Sequence, residues 1–131
     1  MGAYDSILDS VKLPRMYRVK RLFDSSHIAD IQGAVASQVK NFPGISGVEG
    51  KRVALAVGSR GISNLQLIVK TVIQVLSDCG AEVFIVPAMG SHGGAVAENQ
   101  KRILEHLGIT EEAMGVPILA SMETDCIGYT E

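Results

Sequence analysis

Apolar positions along this chain alternate between helical spacing and short continuous runs, which predicts an α/β protein. The first helical stripe follows the capping candidates Asp24, Ser25 and Ser26 and ends before Pro43-Gly44; its members are Ile28, Ile31, Val35, Val39 and Phe42. The run from Val53 to Val57 then has no polar interruption. Because it is apolar on both faces, it predicts a central parallel strand covered by helices on two sides.

The second half of the chain repeats this order of elements. The pattern predicts a helix over residues 63–79 ending at Gly80, a strand over 82–88, a helix over 95–107, a short helix after Thr110 and a strand over 116–121. This order predicts a Rossmann-like parallel sheet flanked by helices and joined by right-handed crossovers. The last ten residues carry no terminating signal, so we expect an incomplete domain of this fold.

The beginning of the chain has a different character from the rest. We assign residues 1–24 to an N-terminal arm and residues 25–131 to the α/β domain. Apolar and basic residues alternate from Met16 to Phe23, as they do in an edge strand. Five of the 12 Lys and Arg residues lie between Lys12 and Arg21. The arm is therefore predicted to be either a solvated segment or a charged edge strand.

Composition narrows the class of protein. With 131 residues, 47% of them hydrophobic and 20% charged, the chain is predicted to fold around one core. A net charge of -2 gives no reason to expect nucleic acid or a membrane as partner. Cys79 and Cys126 form no metal or redox spacing, and no signal peptide is visible at the N-terminus. We therefore expect a cytoplasmic location.

Candidate chemistry is concentrated in two glycine-rich loops, each between a predicted strand and the next predicted helix. The first loop is Gly58-Ser59-Arg60-Gly61, and the second is Gly90-Ser91-His92-Gly93-Gly94. In open parallel sheets, ligands bind beyond the carboxyl ends of the strands, where both loops are predicted to lie. Glycines there let the backbone approach a ligand, and a following helix presents free N–H groups to an anion.

The side chains of these loops add specific capabilities. Arg60 offers a planar cation suited to phosphate or carboxylate, and His92 can take or give a proton near neutral pH. Ser59 and Ser91 add hydroxyl groups. The structural alternative is that the glycines only make turns, Arg60 pairs with a surface carboxylate and His92 caps a helix. His27 and His106 have polar neighbours and are interpreted as structural or solvent-exposed.

Four segments give the chain a family resemblance. They are Val53 to Ile62, Val86 to Ala95 with its Gly-Ser-His-Gly-Gly core, Leu107 to Glu112 and Pro117 to Glu123. These segments resemble the N-terminal domain of lactate racemase-like proteins. The resemblance is to the branch described only as racemase-like, rather than to lactate racemase itself.

The resemblance implies a function and a cofactor. It implies racemisation or epimerisation at the carbinol carbon of a 2-hydroxy acid, with a nickel-pincer nucleotide that accepts and returns a hydride. His92 matches the family's acid/base histidine, which removes the hydroxyl proton. Ser59 and Arg60 match a Thr-Arg pair that helps to hold cofactor or substrate, and the glycines of both loops would complete that site.

The chain also departs from the family pattern. Val57 stands where the racemases have an aspartate, and Gly93-Gly94 stands where they have Arg-Pro. The family's second acid/base histidine, its cofactor-bearing lysine and its nickel-ligand histidine have no counterpart here, so no residue is assigned to metal. We expect an N-terminal portion of an isomerase that is inactive alone and acts with the remainder of a longer protein or as a homo-oligomer. The alternative is a non-catalytic module that binds a nucleotide or another anion.

Overall fold

The computed structural model describes residues 12, 14–124, 126 and 128–129. The first part of the predicted arm, residues 1–11 and 13, lies outside these described residues, as do four positions of the C-terminal tail. Residues 14–28 form neither helix nor strand, so the edge strand predicted as one alternative for this segment is not formed in the structure.

A parallel pair of strands forms the centre of the fold. β1 (Arg52–Val57) pairs with β2 (Glu82–Pro87), with Val53 opposite Val83. The connection between them is α2 (Leu65–Asp78), which begins after Asn64. The described chain is thus a mixed α/β protein with a two-stranded parallel sheet flanked by helices.

Three further helices surround this unit. α1 (Ile31–Lys40) precedes the sheet and is followed by a 3-10 turn, Ile45–Gly47. α3 (Ala97–His106) and the single turn α4 (Glu111–Met114) follow β2, after a 3-10 segment, His92–Ala95. No helix formed by the described residues is long and apolar enough to cross a membrane.

The core lies between the sheet and the helices that follow each strand. Ile85, Leu104 and Ile109 have no exposed surface. Around them pack the other buried apolar side chains of the same cluster: Val57, Val69, Ile73, Leu76, Val83, Met89, Met114 and Ile118. These residues come from β1, α2, β2 and the segments after β2, and none comes from α1.

The predicted third strand is reduced to a single bridge. Ile85 donates its N–H to Pro117 O at 2.9 Å and accepts from Leu119 N at 2.8 Å, but no longer ladder follows. The prediction of a strand over 116–121 is therefore wrong in extent. The physical reason lies in two prolines, which have no N–H: Pro117 cannot donate to Val83 O and Pro87 cannot donate to Leu119 O, so the ladder ends on both sides of this bridge.

The prediction that β1 is covered on both faces is also wrong. Val53, Leu55 and Val57 face the helices, and burial alternates along the strand so that Ala54 and Ala56 are exposed. Alanine carries little apolar surface, so it tolerates the open face that a larger aliphatic residue there would disfavour. Although the run from Val53 to Val57 is apolar throughout, only one face of β1 is covered.

The first helix begins later than its stripe predicts. Asp30, and not residues 24–26, caps it by accepting the Gly33 N–H at 2.8 Å. Ile28 and Phe42, the two ends of the predicted stripe, lie outside the helix and are exposed. Asp24 instead accepts from the backbone and side chain of Ser26, which forms a local turn.

Candidate functional site

The two glycine-rich loops meet at the carboxyl end of the sheet. β1 and β2 are parallel neighbours, so the loops that follow them leave the same edge. The Ala88 N–H donates to Val57 O at 2.8 Å, which extends the pairing of the strands to the start of the loops. The first loop is thereby fixed against the second before either diverges toward its helix.

A side-chain hydrogen bond joins the loops. It connects Ser59 Oγ to His92 Nδ1, with Ser59 half-buried and His92 exposed. A hydroxyl group can donate to a bare ring nitrogen or accept from a protonated one, so Ser59 can satisfy Nδ1 in either protonation state of the ring. Within the described residues, Nε2 has no hydrogen-bond partner. The arrangement leaves Nε2 to exchange a proton with a ligand.

A cavity of about 330 Å³ lies beside this pair. Its lining comes from both loops and from the start of α2: Gly58, Ser59, Arg60, Ile62, Leu65, Ala88, Met89 and His92. Met89 is buried, whereas Arg60 is exposed. Neither ion pair found among the described residues involves Arg60, so the alternative in which it pairs with a surface carboxylate finds no support there.

Two side chains of α3 hold the second loop. Gln100 is 3% exposed, and its Nε2 donates to Gly90 O at 2.8 Å and to His92 O at 3.2 Å. Asn99 Nδ2 donates to Gly93 O at 3.0 Å. Backbone carbonyls in a loop otherwise need water, and a buried amide that binds two of them fixes the loop geometry. Gln100 therefore determines the backbone position of His92.

Gly93 shows why this loop needs glycine. Its φ is +67°, and a Cβ at that position would lie 3.0 Å from Asn99 Cβ and 3.2 Å from Gln100 N. Any side chain would therefore be strained by its backbone and would push against the first turn of α3. The glycine fixes the approach of the loop to α3, not the approach of a ligand.

The candidate residues divide into two groups in the structure. Gly58, Ser59, Arg60 and His92 line the cavity beside the pair. Gly61, Ser91, Gly93 and Gly94 do not line it, and Gly90 lines a neighbouring open groove with Gln100 and Met122. Neither loop runs directly into an α-helix. Residues 62–64 separate the first loop from α2, and the second loop continues into the 3-10 segment His92–Ala95 before α3 begins at Ala97.

The remaining histidines lie apart from the pair. His27 is exposed and lies beside Ser63 and Asn64 in a separate surface groove. His106 is exposed, and its Nδ1 bonds to Arg102 O at 2.8 Å within α3. Neither lines the cavity that His92 shares with Ser59.

Sequence reasoning missed the two residues of α3. A signal was present, because Gln100 precedes Leu104 by four residues and so shares the buried stripe of the helix. A polar residue on such a stripe must find buried partners. The nearby glycine loop supplies free carbonyl groups, which is where such partners should be sought.

A nickel-pincer nucleotide requires groups that attach it and groups that ligate its metal. The lining of the cavity contains no lysine, no cysteine and no carboxylate. Among the described residues, no group of three or more His, Cys, Asp and Glu side chains is placed to hold a metal ion. The residues present therefore do not by themselves fit covalent attachment of this group or ligation of nickel.

Comparison with known proteins adds no relative. No protein-family model, curated protein sequence or solved structure matches the chain.

Proposed function

We propose that the chain contributes an acid/base half-site to a racemase or epimerase of 2-hydroxy acids. The observation that carries the proposal is the hydrogen bond between Ser59 and His92 across two loops at the carboxyl edge of a parallel sheet. The larger fold would be Rossmann-like, as the resemblance to lactate racemase-like proteins also suggests. The chain itself supplies one strand pair and its loops to that fold.

His92 is the proton-transferring group of this proposal. Removing a hydroxyl proton requires a base that stays correctly oriented as it changes charge. Nε2 can accept the proton only while it is bare, so Nδ1 carries the ring hydrogen before the transfer as well as after it, and Ser59 Oγ accepts a hydrogen bond from Nδ1–H in both states. Ser59 thus orients the ring before and after the transfer.

Arg60 recognises the carboxylate of the same ligand. It lines the cavity beside Ser59 and His92, and a guanidinium can form two parallel hydrogen bonds to a carboxylate. A 2-hydroxy acid carries its hydroxyl on the carbon next to the carboxylate. One such ligand can therefore address Arg60 and His92 together.

In this proposal, the binding of the carboxylate at Arg60 and the proton transfer at His92 do not require a nickel-pincer nucleotide. Hydride transfer is the chemistry that such a group would supply when bound, and the residues that attach it would have to come from outside this chain. We therefore expect the purified chain to show no turnover of lactate and no added nucleotide in its intact mass. Turnover by the isolated chain, or a covalent nucleotide-sized adduct, would refute this division of labour.

The rival proposal is a non-catalytic module that binds an anion, such as a nucleotide phosphate. It uses the same loops and Arg60 but gives His92 no proton to transfer. The two proposals differ in the chemical group of the ligand that the site recognises. The acid/base site requires the hydroxyl group, whereas an anion site requires only the charge.

Backbone amide NMR of the chain titrated with lactate, propionate and inorganic phosphate separates them. Lactate should shift the amide signals of both loops, and propionate, which lacks the hydroxyl, should do so more weakly. Arg60→Ala should abolish both responses, and Arg60→Lys should restore them only in part because an ammonium lacks the planar fork. His92→Ala should remove only the preference for lactate over propionate.

Arg102→Ala is the matched control, because Arg102 is also exposed but lies on α3 away from the cavity. It should leave the titrations unchanged. Equal responses to lactate and propionate, unaffected by His92→Ala, would replace the acid/base site with the anion module. No response to any of the three ligands would reject both proposals.

A further inference from the structure

α1 packs against α2, on the side of the sheet that α2 covers. Its first turns lie beside the start of α2, where Ile31 and Val35 share a groove with Ile68. Its end lies beside the end of α2, where Val39 and Phe42 share another groove with Leu76 and Val53. The two helices therefore run in parallel on the same face of the sheet. Unlike α2, α1 has no buried residue.

A third groove lies between β1 and α2, on the side of β1 away from β2. It has a volume of about 230 Å³, and β1 contributes the consecutive residues Leu55, Ala56 and Val57 to it, while β2 contributes none. The rest of the lining is apolar and comes from α2 and the segment before it: Ile62, Leu65, Ile68, Val69 and Val72, with Gly58 at one end. Apolar side chains of a further strand beside β1 could fill this groove.

The backbone of β1 also has unpaired groups along this edge. The carbonyls of Lys51 and Val57 accept from Glu82 N and Ala88 N, so odd-numbered residues direct their polar groups to β2. The even-numbered residues then direct theirs away from β2. Within the described residues β1 has no partner on that side, so the N–H groups of Ala54 and Ala56 have no strand partner.

The segment that precedes α1 has what such an edge requires. Residues 16–23 form no helix or strand, and their apolar side chains lie in water; Met16 is 93% exposed, Tyr17 77%, Val19 84%, Leu22 80% and Phe23 74%. Apolar area of this extent stabilises the fold only once it is covered. The short connection from Phe23 to Asp30 is of ordinary length for a strand-to-helix loop.

From these observations we infer that residues 16–23 dock in a second state of the same chain, as a parallel strand on the free edge of β1. Parallel crossovers are right-handed almost without exception. Because α1 and α2 cover the same face, two successive right-handed crossovers advance in the same direction across the sheet. The strand before α1 must then lie on the side of β1 opposite β2, which is the free edge. The inference is independent of the function proposed above.

The alternation within the segment indicates which side chains face the groove. One face of a strand would carry Tyr17, Val19, Arg21 and Phe23, and the other would carry Met16, Arg18, Lys20 and Leu22. The first face is the more apolar and carries both aromatic side chains, so it is the face that suits the apolar groove against α2. Arg18 and Lys20 would then lie on the face where Ala54 and Ala56 are exposed to solvent.

Amide hydrogen exchange of the whole chain, read residue by residue by NMR, tests the docked state. In the parent chain, the N–H groups of Ala54 and Ala56 should exchange at least about tenfold more slowly than in Val19→Asp, because docking gives them carbonyl partners. Leu55 is the internal control, since its N–H faces β2 and should not respond. Lys20→Asp is the matched control variant, because it places the same charge on the solvent face and should leave the protection of Ala54 and Ala56 unchanged.

Sedimentation at the same concentration identifies the chain that supplies the strand. Slow exchange of Ala54 and Ala56 in a monomer, lost in Val19→Asp, supports docking within the chain. A dimer that Val19→Asp converts to a monomer would overturn it and assign the edge to the segment of a second copy. Exchange of Ala54 and Ala56 that is equally fast in parent and Val19→Asp, or equally lost in Lys20→Asp, would also overturn the proposal.

Discussion

α1 and α2 both carry an apolar stripe at helical spacing, yet they are buried to very different extents. α2 covers the pair β1 and β2 and buries five residues, Val69, Thr71, Ile73, Val75 and Leu76. α1 packs against α2, and it buries none. The difference lies in what each helix packs against, since α2 packs on the sheet and on α4 as well as on α1, whereas α1 packs mainly against α2. An amphipathic stripe therefore predicts a helix, but the surface available to that helix decides how much of the stripe is buried.

The same contrast applies to the candidate site, which lies in the well-buried part of the fold. The β1–α2–β2 unit with α3 and α4 contains the buried core and also positions both glycine loops. The α1 half lies away from the loops and contributes only half-buried residues, such as Val39, Ile45 and Val48. We expect the candidate site to depend on the β1–α2–β2 unit with α3 and α4, and to tolerate changes in α1 and the residues around it.

The largest expected effect comes from a cavity in the well-packed half. Ile85 has no exposed surface, so Ile85→Ala should lower the free energy of unfolding by about 2–5 kcal/mol. Val39→Ala is the matched change in α1, where the side chain is only half-buried, and it should cost less than about 1 kcal/mol. Urea unfolding of both variants measures the difference. Equal losses would show that the two halves are equally well packed.

A smaller effect should follow when the anchor of the second loop is removed. Gln100→Ala leaves the carbonyls of Gly90 and His92 without their amide donor and should cost about 1–3 kcal/mol. Gln74→Ala makes the same chemical change on α2, where the amide is exposed and bonds only Asp78. It should be close to neutral.

Hydrogen exchange in the loop adds a second measurement for the same pair of variants. Gln100→Ala should speed exchange of the His92 N–H, which donates to Met89 O, while Gln74→Ala should not. If Gln100→Ala destabilises the chain but leaves that N–H as protected as in the parent, Gln100 supports the core and does not position the loop.

The smallest effect concerns a surface ion pair that depends on pH. The hydrogen bond from Lys101, with a further one from the Ile118 N–H, lowers the pKa of Glu111, and Glu111 in turn raises the pKa of Lys101. A lowered carboxyl pKa stabilises the fold above the group's ordinary value of 4.5, and this contribution is lost as pH falls through the lowered value.

Glu111→Gln tests that pH dependence, because it keeps an oxygen for Ile118 and removes the charge. Its melting temperature should fall slightly below that of the parent at neutral pH, and the difference should vanish under acidic conditions. Glu112→Gln is the control on the same exposed turn. A difference between parent and Glu111→Gln that persists unchanged into acid would show that charge plays no part in it.

The spacing of apolar residues and the positions of glycines were sufficient to predict the main helices and the two paired strands. The run from Val53 to Val57 became β1, and Gly80 followed α2 with a φ of +83°, as its role beyond a helix end requires. The segment around Ile118 was predicted as a strand but forms one bridge, because Pro117 and Pro87 have no N–H with which to extend the ladder. Pairing between distant segments depends on partners that periodicity along the chain does not reveal.

The candidate site was predictable to a similar degree. Its loops follow adjacent parallel strands, and strand order alone brings Ser59 and His92 to one edge. Their direct hydrogen bond and the anchoring by Gln100 depend on side-chain packing, which the sequence pattern does not contain. The roles of Ser91 and Gly94 as ligand contacts stay predictions, since neither lines the cavity beside the pair.

Nitrogen NMR of the histidine rings tests the central claim, that Ser59 orients His92 for proton transfer, most directly. The chemical shifts of the ring nitrogens report which one carries the hydrogen, and they can be measured on the parent, Ser59→Ala and Ser59→Thr. His106 is an internal control, because its Nδ1 is bonded to Arg102 O within α3. Ser59→Ala should change the tautomer balance of His92 alone, and Ser59→Thr, which keeps the hydroxyl, should preserve it. Identical His92 signals in the parent and Ser59→Ala would contradict the account.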